Sequence, residues 1–242
     1  MAHRPLCEAR IDAAAITANA TVLKARAAGR RLVADVTGNG YGHGIELAAR
    51  AALAGGADAV GVRRSVDLDR LRLVTEARHI AVEQLDELPE GDVVTGADLF
   101  GLTADPQLVP AMRVSARVLA TKTIDAGEGV SYGYTYRAAE RTNLAMIGIG
   151  YTDGLDRAAS NIGTVLLGGA LRRIAGRVAM NVLMLDLGAS FVELGDEAVI
   201  FGDPTKGEPS AADWAVPVGK TAAEVASSFG ARLLHTDAGS AS

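Results

Sequence analysis

Thiols, lysines and aromatic rings are scarce in this chain, and each scarcity narrows its chemistry. The only cysteine is Cys7, so no intrachain disulfide can form. With no histidine beside it, the thiol reads as a small hydrophobe without a role. A chain held together without disulfides suits a reducing cytoplasm. Aromatic residues make up only 4% of the chain, and its net charge of −5 comes from interspersed acidic and basic residues. Neither a stacking platform nor a basic stripe results, which excludes nucleic acid as the expected partner. No apolar run reaches transmembrane length, and the start "MAHRPLCEAR" has no apolar core of signal-peptide type, so no membrane partner is expected.

What the chain does have is apolar material: 49% of its 242 residues are hydrophobic, enough for one large domain or two modest ones. The first part alternates helix and strand. "DAAAITANATVLKARAAG" reads as a helix followed by the strand "RRLVADV"; "GIELAARAALAGGA" reads as a helix closed by Gly55 and Gly56, followed by the strand "DAVGV". "SVDLDRLRLVTEA" then reads as a helix with Ser65 as N-cap, and "HIAVEQ" and "VVTGADLFGL" follow as further strand segments. This order implies a parallel sheet with crossover helices. From about Met112 the texture changes to longer β-type runs, "RVSARVLATKTI", "TNLAMIGIGY", "GTVLLGGALRRIAGRV", "VLMLDLG" and "EAVIFG", which predict a mostly antiparallel β domain of meander or barrel type. A helix in "KTAAEVASSFGARLL" closes the chain, and the small polar tail "HTDAGSAS" is expected to be disordered. The predicted domains are 1–105 (α/β) and 106–242 (all-β).

Three segments carry candidate chemistry. In "VADVTGNGYGHG", alternating glycines follow a strand, at the sheet end where parallel α/β proteins place ligands, although a plain glycine turn reads equally well. "VSYGYTY" holds a tyrosine in a Gly-flanked turn; its hydroxyl, with a pKa near 10 when unperturbed, becomes an acid or base beside a cation. In "GIGYTDGLDR", Asp153 and Arg157 read either as site residues or as a surface ion pair.

Taken in order, "YGHG", "GADAVGV", "VSYGYTY", "IGIGYTDGLDR", "GRVAMN" and "GDPTKGEPSAADWA" closely resemble the alanine racemases. The resemblance implies a (β/α)8 barrel that holds pyridoxal phosphate, a C-terminal β-barrel domain, and a homodimer whose sites are shared between subunits. It also implies a Schiff-base lysine at the end of the first barrel strand, and a tyrosine, here Tyr132, acting on the opposite face.

The departures are as informative as the match. Thr37 stands where the family pattern has the lysine, and the four lysines present, Lys24, Lys122, Lys206 and Lys220, lie outside strand-end settings. Threonine cannot form an imine. Val94 replaces the arginine that faces the cofactor ring, Ala223 a phosphate-contacting tyrosine, and Asn181 an aspartate. A (β/α)8 barrel takes about 250 residues, whereas the stretch from Glu8 to Leu102 holds about four βα units at most. The fold class expected is therefore a shortened, incomplete TIM-like domain followed by a β-barrel domain. No cofactor, metal or pyridoxal phosphate is expected. Tyr132 is the expected catalytic acid or base for cofactor-independent proton transfer (cyclisation, isomerisation or elimination) on a small metabolite. Thr37, Asn39, Tyr41, His43, Tyr151, Arg157, Met180 and Asn181 are the expected substrate contacts. One alternative is a non-catalytic pseudoenzyme, a binding or regulatory dimer in which these segments build the β domain and its dimer interface; another is an amino-acid racemase that uses Tyr132 with noncovalently bound cofactor.

Overall fold

The computed structural model describes residues 5–75, 81–229 and 233–237. The chain divides into two compact units: Ile11–Met112, and Arg113–Thr236 together with the segment ending at Arg10. Strand β1 (Cys7–Ile11) therefore belongs to the later, β-rich unit, although it opens the chain.

In the α/β unit, α1 (Ala13–Arg26) starts at Asp12, whose carboxylate accepts the Ala15 N–H at 3.0 Å. Asn19 on this helix is buried, and it donates to the carbonyls of Leu99 and Val109 and accepts the Val109 N–H, the last at 2.8 Å. Strands β2 (Leu32–Asp35), β3 (Ala59–Val62), β4 (Ala81–Gln84) and β5 (Val93–Thr95) form a four-stranded parallel sheet in the order β4-β3-β2-β5. Between them lie the short turn α2 (Thr37–Tyr41) and the helices α3 (Ile45–Ala54) and α4 (Ser65–Thr75). Gly55 does cap α3. Ser65, expected as an N-cap, is already inside α4, where Arg64 and Asp67 form the ion pair of the first turn.

Every residue of β2 and β3 is buried, as in parallel sheets covered on both faces. On the face that carries Val33, a Cβ at Gly61 would run into the Leu85 side chain, so the segment after β4 presses on this face and only glycine fits beneath it. The sheet is thus open, as its length predicts, but its central strands are not wet.

In the β unit, β6 (Met112–Ile124), β7 (Gly129–Val130), β8 (Tyr136–Arg137), β9 (Thr142–Ile147), β10 (Thr164–Leu167), β11 (Ala170–Arg173), β12 (Leu183–Gly188), β13 (Glu197–Phe201) and β14 (Leu234–Asp237) follow in order. The main sheet runs β11-β10-β13-β6-β1-β14, with β9 pairing β6 and β12 pairing β9. The β10–β11, β10–β13, β6–β13, β6–β9 and β9–β12 ladders are antiparallel, and β7 and β8 form a separate hairpin. Two short helices, α5 (Ala211–Ala215) and α6 (Ala222–Phe229), complete the unit. Part of the tail expected to be disordered is strand β14, because the edge of β1 offers its backbone groups a ladder; residues 238–242 lie outside the described residues. Cys7 sits on β1, its thiol pushed up to about 11 by burial and, secondarily, by the Asp153 charge.

A charged cluster ties β6 to β13. Arg113 grips Glu197 through both terminal nitrogens, at 3.1 and 2.9 Å, and Glu208 through Nε at 2.7 Å, while Ser115 donates to Glu197 at 2.9 Å. The Arg113 hydrogen bonds, with help from Ser115, bring Glu197 down to about 2. A carboxylate with a depressed folded-state pKa contributes stability above its unfolded pKa and loses it as pH falls through the folded value. Thermal unfolding followed by circular dichroism is therefore expected to show stability falling between the usual glutamate range and pH 2, with a shallower fall in Glu197→Gln; identical pH slopes in both proteins refute the assignment.

Candidate functional site

The candidate residues fall into two groups, one in each unit. In the α/β unit they lie at the C-terminal end of β2. Gly38 (φ 61, ψ 36), Asn39 (φ 59, ψ 42) and Gly40 (φ 63, ψ 46), followed by Tyr41 at φ 52, form one turn of left-handed helix. Such a run disfavours residues with a Cβ by roughly 1–2 kcal/mol each, which explains the alternating glycines. The turn is closed by Gly40 N–H to the Val36 carbonyl at 2.9 Å and Gly42 N–H to the Gly38 carbonyl at 3.1 Å.

Two of the expected substrate contacts are spent on holding this turn. The Asn39 side-chain oxygen accepts the Ile45 N–H at 3.1 Å and so supplies a cap to α3. His43 is 1% exposed and stacks on Phe100 with ring centroids 4.4 Å apart; its Nδ1 lies 2.9 Å from the Gly40 carbonyl. Thr37 is half-buried at the start of the turn. Sequence reading passed over Asp35, although an acidic residue in a buried apolar strand is a visible signal. Its carboxylate accepts the Thr37 N–H at 2.8 Å and the Tyr41 hydroxyl at 3.2 Å. Burial first, and then the Asp35 charge and hydrogen bond, push Tyr41 up to about 12. Its hydroxyl is thus a donor at neutral pH. In Asp35→Asn the charge is gone and Tyr41 is expected to titrate lower, as read from tyrosinate absorbance with Tyr41→Phe as reference; an unshifted titration refutes the pairing.

In the β unit the remaining residues converge. Tyr132 is 83% exposed on a 3-10 turn, Tyr132–Tyr134, that joins β7 to β8. The turn is pinned from behind: Ser131 Oγ donates to the Arg177 carbonyl at 2.7 Å, and a Cβ at Gly176 would lie 2.6 Å from Ser131 Cβ. A second turn, Tyr151–Asp153, is zipped to the same segment through Tyr151 N–H to the Ala179 carbonyl and Thr152 N–H to the Met180 carbonyl, both at 3.0 Å. Asn181 donates to Thr152 Oγ1 at 2.9 Å. Met180 and Asn181 are exposed beside this turn. Asp153 accepts the Gly150 N–H at 2.8 Å, so the alternative of an Asp153–Arg157 ion pair is not what forms. Arg157 lies over the Tyr151 ring, 5.4 Å from its centroid, whereas it is Arg177 that lies against the Tyr132 turn: a Cβ at Gly133 would sit 3.6 Å from its guanidinium carbon. Arg177 is inside "GRVAMN" but was not singled out there. A cavity of about 510 Å³ is lined by Thr135, Arg157, Ala158, Ser160, Asn161 and Arg177.

A parallel α/β unit with a strand-end glycine turn and an antiparallel β unit with a presented tyrosine make a two-unit α/β-plus-β protein. Residues 11–98 match the model of the alanine racemase N-terminal domain, and residues 111–236 that of the alanine racemase C-terminal domain. The chain belongs to the alanine racemase family. It is 50% identical over 123 residues to the alanine racemase of Salinispora arenicola, covering 51% of this chain and 33% of that protein. It is 40% identical over 176 residues to that of Beutenbergia cavernae, covering 68% and 47%. The chain thus spans between a third and a half of the length of these curated relatives. Its fold superposes on the alanine racemase of D-cycloserine-producing Streptomyces lavendulae with a TM-score of 0.84 at 26% identity, covering 97% of this chain and 98% of that one. The alanine racemase of Bartonella henselae, crystallised with covalently bound pyridoxal phosphate, matches with a TM-score of 0.84 at 19% identity, covering 97% of this chain and 100% of that one.

These matches correct the expectation of a protein with no cofactor. A family whose members include a pyridoxal phosphate protein gives no ground for a cofactor-free chain, and Thr37 in place of a lysine removes by itself only the covalent bond. The covalent mode is a separate matter. Thr37 offers a hydroxyl in place of an amine, so the link present in the Bartonella protein has no equivalent at this residue, and Asp35 and Tyr41 beside it supply an acceptor and a donor.

Proposed function

We propose that this chain is an isomerase-class member of its family that moves a proton on a small amino-acid-like metabolite, with the Tyr132 hydroxyl as the group that delivers or removes it. The observation that carries the reading is the presentation of Tyr132: exposed, on a turn locked by Ser131 and Gly176, with Arg177 against its base. A side chain held this way loses little freedom on meeting a substrate, which is the condition for positioned acid–base catalysis. Tyr151, Met180 and Asn181 line the same end of the unit and serve as substrate contacts; Thr37 and Tyr41 serve at the end of β2. The protein is proposed to act as a homodimer with the site shared between subunits.

Position 37 offers no amine for a lysine-type anchor of pyridoxal phosphate. The strand end itself is tested by restoring the amine. Thr37→Lys, incubated with pyridoxal phosphate, is expected to gain a visible-edge absorbance band that borohydride abolishes, with the adduct mapped by mass spectrometry to position 37. An adduct spread evenly over the native lysines overturns the claim that the end of β2 keeps the family geometry.

One observation favours a non-catalytic role: Asn39 and His43 are retained for reasons the fold itself supplies. Tyr132→Phe separates the readings. The variant is expected to unfold at the wild-type temperature and to lose at least about a hundredfold in proton exchange at the α-carbon of its substrate, the size of a lost acid–base group. Unchanged exchange refutes the assignment, which can be read by deuterium incorporation into candidate amino acids.

A further inference from the structure

We propose that the cavity beside the Tyr132 turn is a binding site for a compact oxyanion, carboxylate or phosphate, carried by the small molecule this protein handles. Arg157 and Arg177 both line it. The chain is acidic, with a net charge of −5, and its other arginines are commonly engaged. Arg113 holds Glu197 and Glu208, Arg26 holds Asp105, Arg31 holds Asp92, and Arg172 and Arg173 donate to backbone carbonyls. Among the described residues, Arg157 and Arg177 form no ion pair and donate no side-chain hydrogen bond. Among the described residues Arg157 lies over the Tyr151 ring, a contact that leaves its charge unneutralised.

The two segments that carry the pair are tied together. The Arg157 turn is bonded to the residues on both sides of Arg177: Asn161 Oδ1 accepts the Gly176 N–H at 2.7 Å, and Ser160 Oγ accepts the Val178 N–H at 3.0 Å. Asn161 Nδ2 also donates to Thr135 Oγ1 at 3.2 Å, which leaves the Thr135 hydroxyl proton for a third group. Two like charges fixed on one cavity repel each other until an anion sits between them. The planar fork of guanidinium matches carboxylate and phosphate with paired hydrogen bonds, which an ammonium does not. The site would therefore anchor the acidic end of a substrate while Tyr132 addresses another of its atoms, and in naming the substrate's charge it rests on the reading of Tyr132 as the proton carrier.

The test uses the full chain at low ionic strength, with succinate and inorganic phosphate titrated separately by calorimetry. Saturable one-to-one binding of at least one probe is expected, weakened at least tenfold in Arg157→Ala and in Arg177→Ala. Arg157→Lys and Arg177→Lys are expected to bind more weakly than wild type, and Arg141→Ala and Tyr132→Phe as wild type does. Tighter succinate than phosphate marks a carboxylate site, and the reverse a phosphate site. Absence of binding by either probe overturns the proposal, as do unchanged affinities in both alanine variants or equal losses in Arg141→Ala; equal unfolding midpoints check that the variants fold. If Tyr132→Phe binds normally yet its loss leaves proton exchange intact, the proton-carrier reading fails while the anion site stands.

Discussion

Both faces of a parallel sheet have to be dry, and the α/β unit meets that requirement with four strands. In a closed barrel the inner face is covered by the other strands' side chains. Here the segment after β4 covers it, and the Leu85 side chain occupies the space that any residue other than Gly61 would need. Every residue of β2 and β3 is buried. Asp35 lies on the Val33 face, in register with Gly61. A shortened sheet thus remains a packed one, and the end of β2 stays fixed enough to hold a strained turn.

The two groups of site residues use rigidity differently. At the end of β2 the backbone carries the strain, and the side chains of Asn39 and His43 are consumed in holding it. In the β unit the backbone is zipped to the Arg177–Asn181 segment, and the side chains of Tyr132, Met180 and Arg177 remain available. The unengaged candidate side chains thus lie in the β unit, while the α/β unit presents a shaped strand end with one carboxylate and one protonated phenol.

Much of the fold was legible from local pattern. The Asp12 start of α1, the Gly55 end of α3, the four parallel strands and the long β-type runs each carry their signal within a few residues. Strands β1 and β14 were not legible, because each is short and acquires meaning only as a neighbour in the ladder that includes β6. Helix α5 was missed despite its signal, the reciprocal Ser210–Asp213 capping box. Of the candidate residues, Tyr132 lies on a turn pinned to the Arg177 carbonyl, and Tyr151 on a turn tied to the Ala179–Met180 backbone. The roles of Asn39 and His43 were not accessible, since capping Ile45 and stacking on Phe100 are tertiary events. Asp35 carried a signal, an acid in an apolar strand, that was passed over, whereas nothing in one dimension marks Arg177 as lacking a counterion.

The thiol of Cys7 lies within the second unit's main sheet and, at about 11, is almost wholly protonated at neutral pH. Cys7 is only partly buried, so what slows a thiolate-requiring reagent is the small thiolate fraction rather than the sheet around it. The single cysteine is consequently a slow nucleophile at neutral pH, its reactivity governed by protonation.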